Sequence, residues 1–323
     1  MRAPEITPRA FRRLTLVNVV LVVAIIVSGA TVRLTDSGLG CSDWPNCSPE
    51  DFVSVSTTNE AIEQLNRLFS GAIGIPLGLA LLFAYWRRPR RADLIALSWV
   101  AIALFFGNAI VGGIAVTVEL AWVSVMGHFL LAIALVGVAL VMHKRAGEAP
   151  GPYRPVVADH VRWVARAVYV VTIWVLVAGT LVTAAGPHGG DEEARRLSWQ
   201  IDDIARVHAV SVDVLVALVL TLVVLLVHAN APRRALTTAS VALAAMIAQG
   251  TLGYVQYFNA IPELLVGFHV AGAVLVFSTV QWLVLELRVP ADALTSQALA
   301  APDLGLELLG VQPGTRVGDA GHV

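Results

Sequence analysis

The chain has 323 residues, of which 57% are hydrophobic and 14% charged, and a formal net charge of −1. That balance is the composition of an integral membrane protein, and the lack of a basic excess excludes a nucleic-acid partner. A helix needs about 20 mostly apolar residues to cross a bilayer. Eight such runs are present, near 14–33, 64–86, 93–115, 121–142, 163–185, 204–228, 235–257 and 262–286.

Residues 1–13 form a basic cytoplasmic lead-in carrying Arg2, Arg9, Arg12 and Arg13. No small-residue cleavage site follows the first apolar run, so a retained helix is expected there. That run ends in VSGATVRLTDSGLGCSDWPNC, where Gly, Ser, Asp and Pro stop a helix and open a long loop holding both cysteines, Cys41 and Cys47. The second span opens with NEAIEQLNRLFSGAIG. Its Glu63 and Asn66 are spaced to share one helix face, with Arg67 beside them. Spans three and four form a hairpin with a short turn near 116–120, and His128 lies in the fourth.

The stretch 143–162, with GEAPGPYRPV at its centre, is rich in Pro and Gly and reads as a cytoplasmic linker between a half at 14–142 and a half at 163–286. The fifth span ends in VAGTLVTAAGPHGGD, where Gly179 and Val182 echo Gly29 and Val32. The sixth opens with DDIARVHAVSV, containing His208, and the eighth reads ELLVGFHVAGAVLVF around His269. Residues 287–323, rich in Ala, Pro and Gly, read as a mobile cytoplasmic tail.

Arginine and lysine set the orientation. They crowd the lead-in and the loops containing Arg87–Arg91, Lys144–Arg162 and Arg233–Arg234. Asp36, Asp43, Glu50, Asp51, Glu119, Asp191, Glu192 and Glu193 occupy the alternate loops, with Arg195 and Arg196 as exceptions. Both termini are therefore expected in the cytoplasm of a multi-pass plasma-membrane protein. Cys41 and Cys47 then lie outside, where a disulfide can persist.

The two halves read as a duplication. His128 and His269 are 141 residues apart, and at that offset Asn108, Val111 and Gly112 fall on Gln249, Leu252 and Gly253. His208 lies 142 residues after Asn66. Four spans per half make the repeat parallel. The fold expected is all-α and integral to the membrane, with eight transmembrane helices as two parallel-repeat four-helix bundles. Asn66, His128, His208 and His269 would share one layer within about 12 Å of the outer face.

Two histidines at one depth on facing helices can ligate a haem iron. The C-terminal half has such a pair in His208 and His269. The N-terminal half has His128 opposite Asn66, with Glu63 one turn above and Ala205 where the other half would repeat that acid. Plainer roles compete at each point. A lone membrane histidine often only hydrogen-bonds a neighbour, though two at matching repeat positions weaken that reading. Glu63 also suits a helix N-terminus on dipole grounds alone. Arg33 and Arg67 could snorkel or pair with anionic groups such as propionates. His143 and His228 read as interfacial, and His160, His188 and His322 carry little signal.

The string VRLTDSGLGCSDWPNC, residues 32–47, resembles the cysteine-loop signature of the haem A synthase family. The likeness extends to Glu63–Arg67, to Gly112–Gly113 and to the histidines of spans four, six and eight. It implies oxidation of the C8 methyl of haem O to a formyl group, giving haem A for cytochrome c oxidase assembly. It implies a haem b cofactor ligated by His208 and His269, and a substrate haem O beside His128 and Asn66. It further implies an essential Glu63, a Cys41–Cys47 disulfide, a haem O synthase as upstream partner, and membership of an enzyme class acting on a methyl group. A homo-oligomer stays open, and the electron acceptor is not indicated. The chain departs from the family in bearing Asn66 where many members have histidine, and in lacking a second cysteine pair between spans five and six, whose loop must be held by other contacts. A b-type electron-transfer cytochrome without chemistry of its own is the alternative; a second haem on His143 and His228 would favour it. A transporter built from a parallel repeat would instead put its polar positions at mid-membrane.

Overall fold

The computed structural model describes residues 5–192 and 194–291. Eight helices follow one another: α1 (Pro8–Leu34), α2 (Thr58–Trp86), α3 (Ala92–Thr117), α4 (Trp122–Ala146), α5 (Asp159–Ala185), α6 (Ile201–His228), α7 (Arg233–Phe258) and α8 (Glu263–Glu286). Each is long and apolar enough to cross a membrane. A helix satisfies its own backbone in hydrocarbon, so apolar runs of this length take that form. The chain is a multi-pass, all-α membrane protein.

Helix starts follow from local chemistry. Thr7 accepts a hydrogen bond from Ala10 N at 3.2 Å and Pro8 fits the first turn, so α1 begins six residues before the apolar run. Arg9, Arg12 and Arg13 of the lead-in are therefore helical. Thr57 and Glu60 form a reciprocal capping box that starts α2, again ahead of its apolar run.

Helices α1, α2, α3 and α4 pack each against the next, and α4 closes on α1. Helices α5 to α8 make a second ring in the same manner, with α8 closing on α5. In each ring, α2 faces α4, or α6 faces α8, across the diagonal. The rings meet along α1 with α8, α4 with α8, and α4 with α5. One apolar cluster lies wholly among α5–α8, built on Leu215, Val219, Leu222 and Val280. Another runs through the junction, joining Val22, Ile73 and Val136 to Leu176, Val274 and Phe277.

The end of the molecule opposite the cysteines is tied more firmly than the sequence led us to expect. Within 143–162, residues 143–146 continue α4 and residues 159–162 begin α5, so the irregular linker is shorter. At its centre, β1 (Tyr153–Pro155) pairs antiparallel with β2 (Arg288–Pro290), with Arg154 opposite Val289. The start of the 287–323 segment is thus a paired strand, because backbone groups leaving α8 meet the exposed backbone of the linker. The rest of that segment, 292–323 with His322, lies outside the described residues, as do Arg2 and Glu193. Lys144 Nζ binds Glu286 Oε1 at 2.7 Å, joining α4 to α8. His143 Nδ1 lies 3.0 Å from Thr15 Oγ1, and its ring packs against Trp282.

Candidate functional site

All four marked residues lie near the starts of the even-numbered helices. Asn66 is eight residues into α2, His128 six into α4, His208 seven into α6 and His269 six into α8. At 1.5 Å per residue they share a layer about 9–12 Å below the helix ends that carry the cysteine loop. The rings of His208 and His269 face each other across the second bundle with centroids 6.4 Å apart and planes at 66°. Both Nδ1 atoms are buried and make no hydrogen bond among the described residues.

A glycine on the preceding helix clears room for each histidine. A methyl group on Gly112 would stand 2.9 Å from His128 Cε1, one on Gly179 3.2 Å from His208 Cε1, and one on Gly253 3.1 Å from His269 Cε1. At Gly29, the corresponding position before Asn66, nothing lies within 4 Å. Three of the four places hold an imidazole against a glycine, and the fourth is open. An amide from the same odd-numbered helix steadies two of the histidine turns. Gln249 Nε2 donates to His269 O at 2.7 Å, and Gly272 leaves space for that amide. Asn108 O lies 3.1 Å from His128 Nδ1, and the Asn108 amide, turned so that both its ends are satisfied, reaches Nδ1 at 2.7 Å.

The first bundle differs around Asn66. Ser28 Oγ donates to Asn66 Oδ1. Beside this pair, between α1 and α2, is a cavity of about 360 Å³ lined by Thr31, Ile62, Leu65 and Phe69. Glu63, one turn above, is 5% exposed. Its Oε2 accepts from Cys41 N at 2.7 Å, and its Oε1 accepts from Arg67 Nη2 at 2.6 Å and Nε at 3.0 Å. Arg67 Nη1 donates onward to Asp43 O at 2.8 Å and Asn46 O at 3.0 Å. Cys41 and Cys47 form a disulfide. The Glu63–Arg67 pair therefore holds both sides of the disulfide loop onto α2. Trp44, at the tip of that loop, lies flat on α3: a methyl group on Gly113 would come within 2.5 Å of Trp44 Cδ2.

Arg33 and Arg67 both reach backbone carbonyls of neighbouring loops. Arg33 Nε donates to His188 O at 2.6 Å and its Nη2 to Thr183 O at 2.9 Å, tying α1 to the loop after α5. That loop, which lacks cysteines, is also held by Gly38 N on Gly190 O at 2.8 Å and by His188 Nε2 beside Ile261 O at 2.7 Å. His188, which carried little signal in the sequence, is thus a bridge between the two loop regions. Ser28 is the other residue that sequence reasoning passed over. Ala178 stands at the equivalent position before Gly179, so a hydroxyl found only in the half with Asn66 was the signal available. His143 and His228 are not a ligand pair: His143 is taken up by Thr15 and Trp282, and His228 is exposed with Nδ1 at 2.8 Å from Val224 O.

The fold and site describe a multi-pass helical membrane protein with paired, half-buried imidazoles in one bundle and a single imidazole in the other. A family model described as "Cytochrome oxidase assembly protein" (COX15-CtaA) matches residues 12–63 and 52–187, more than half of the chain. The chain belongs to that family. Among curated relatives, a "Heme A synthase" of Shewanella oneidensis is 30% identical over 152 residues, covering 41% of this chain and 44% of the relative. A "Heme A synthase" of Exiguobacterium sibiricum is 25% identical over 167 residues, covering 50% of this chain and 55% of the relative. A "Protoheme IX farnesyltransferase" of Chloroflexus aurantiacus is 35% identical over 109 residues, covering 33% of this chain and 18% of that protein. The chain thus spans about half the length of the haem A synthases it matches.

Proposed function

We propose that the protein is a haem A synthase, oxidising the C8 methyl of haem O to a formyl group for cytochrome c oxidase assembly. In this reading α1–α4 and α5–α8 are repeats of one bundle, the second holding a resident haem b and the first receiving haem O. The observation that carries it is the His208–His269 pair. Two imidazoles bonded through ring nitrogens to one metal at about 2 Å would have centroids about 6.3 Å apart; the rings stand at 6.4 Å. The donor set fits a low-spin haem iron, and when bound the haem b supplies one-electron relay. His208 and His269 hold and orient it, with Gly179 and Gly253 clearing the rings and Gln249 steadying the turn of His269.

In the first bundle His128 holds the substrate iron from one side, and Asn66 lies across from it. Conversion of the methyl to a formyl group is a four-electron oxidation. Two successive two-electron steps, each adding a hydroxyl from water, give a gem-diol that loses water to leave the aldehyde. Four electrons and four protons pass to an external electron acceptor. Glu63 is the acid beside this site; in its buried setting it takes up a proton or stabilises positive charge developing at the reacting carbon. The Arg67 and Cys41 contacts keep its carboxylate in place through the disulfide loop. The distribution of arginine and the disulfide support an orientation with both termini cytoplasmic and the haem layer toward the outer face. The match to a farnesyltransferase supports an upstream prenyl transfer that makes haem O, with the enzyme performing it as a partner. Co-expression with a haem O synthase, followed by chromatography of extracted haems, tests the reading. Haem A is the expected product, and haem O alone overturns it.

A further inference from the structure

Asn66 holds in α2 the register that His208 holds in α6, and His128 in α4 that of His269 in α8, whose ring faces His208. An amide nitrogen has no lone pair to offer iron, and it is a hydrogen-bond donor. Ser28 occupies Asn66 Oδ1, which leaves Nδ2 as the polar atom that Asn66 brings to the site; it makes no hydrogen bond among the described residues. The space an imidazole fills against Gly179 is open against Gly29. Asn66 also lines the cavity between α1 and α2, where the neighbouring Leu65 is 64% exposed.

We propose that the α1–α4 half binds a small neutral diatomic ligand, the class to which carbon monoxide belongs, on the substrate iron opposite His128, with Asn66 Nδ2 as its hydrogen-bond donor. This rests on the reading that His128 ligates a haem, and it makes Ser28 the residue that sets which end of the amide the ligand meets. The α5–α8 half, with both axial positions taken by His208 and His269, refuses the same ligand.

The test is to load the purified full chain with protohaem, reduce it, and record carbon monoxide difference spectra. Two haems and one carbon monoxide per chain are expected. Asn66→His supplies a second imidazole and lowers carbon monoxide occupancy at least ten-fold at a fixed concentration, while the low-spin spectrum of the other haem persists as a check on folding. Asn66→Leu keeps the binding and shifts the C–O stretching band to higher frequency, since the donor is gone. Should the histidine variant lose both haems, the leucine variant's band position decides alone. Two bound haems with no carbon monoxide uptake, uptake indifferent to Asn66→His, or an unshifted band in Asn66→Leu each overturn the inference and leave the haem reading standing. A single haem indifferent to His128→Ala overturns both.

Discussion

The two bundles share a plan and differ at one edge of it. His269 and His128 lie at the same depth on α8 and α4, each cleared by a glycine and each braced by an amide from the helix before. Across from His269 stands His208; the register of His208 is taken in the first bundle by Asn66, hydrogen-bonded by Ser28, with Glu63 one turn above it locked to Arg67 and the disulfide loop. The first bundle also carries a loop laid over α2 and α3, for which the second has a cysteine-free loop held by backbone contacts and arginines. In the function proposed above, the closed pair retains the cofactor, and the open position under the braced loop receives the substrate.

The largest effect that would break this comparison comes from the paired histidines. His208→Ala or His269→Ala should remove the haem proposed for the second bundle from the purified protein, a loss beyond the ~100-fold typical of residues that only support a ligand. His128→Ala should leave that haem in place, and absorption spectra of the three variants decide it. Next in size is Arg67→Ala. It leaves Glu63 buried without its cation, which costs about 3 kcal/mol. Thermal unfolding should fall accordingly, and the Cys41–Cys47 bond should be reduced faster by added thiol; replacing Glu63 by Gln in the same protein should recover part of the loss. Removing the disulfide itself by Cys41→Ser closes a short loop less firmly, at about 2 kcal/mol, read in the same unfolding assay.

The glycines give the smallest and most discriminating series. Alanine at 112, 253 or 179 should push the facing ring and cost about 1–2 kcal/mol in packing, most at Gly112 where the approach is 2.9 Å. That shift should appear in the spectrum of the haem concerned. Gly29→Ala meets nothing and should instead stabilise α1 by about 0.5 kcal/mol through helix propensity. An equal response at all four positions would erase the distinction between the bundles.

The sequence by itself determined the eight spans, the layer of marked residues and the family likeness, because hydrocarbon leaves a chain only one local solution and an ionisable side chain within it stands out. It also showed that Asn66 breaks the pattern of histidines. What it left open were contacts between residues far apart in the chain. Arg33 and Arg67 read as snorkelling or anion-binding side chains, and only packing showed them spent on the backbone of neighbouring loops. His188 looked like a loop residue until the turn before α8 came beside it. The start of the tail became a strand only because the linker offered a free edge. Ser28 took its meaning from α2 lying against α1. Helix formation and depth are decided by runs of adjacent residues, whereas the donor opposite each histidine and the loop over it are decided by which helices become neighbours.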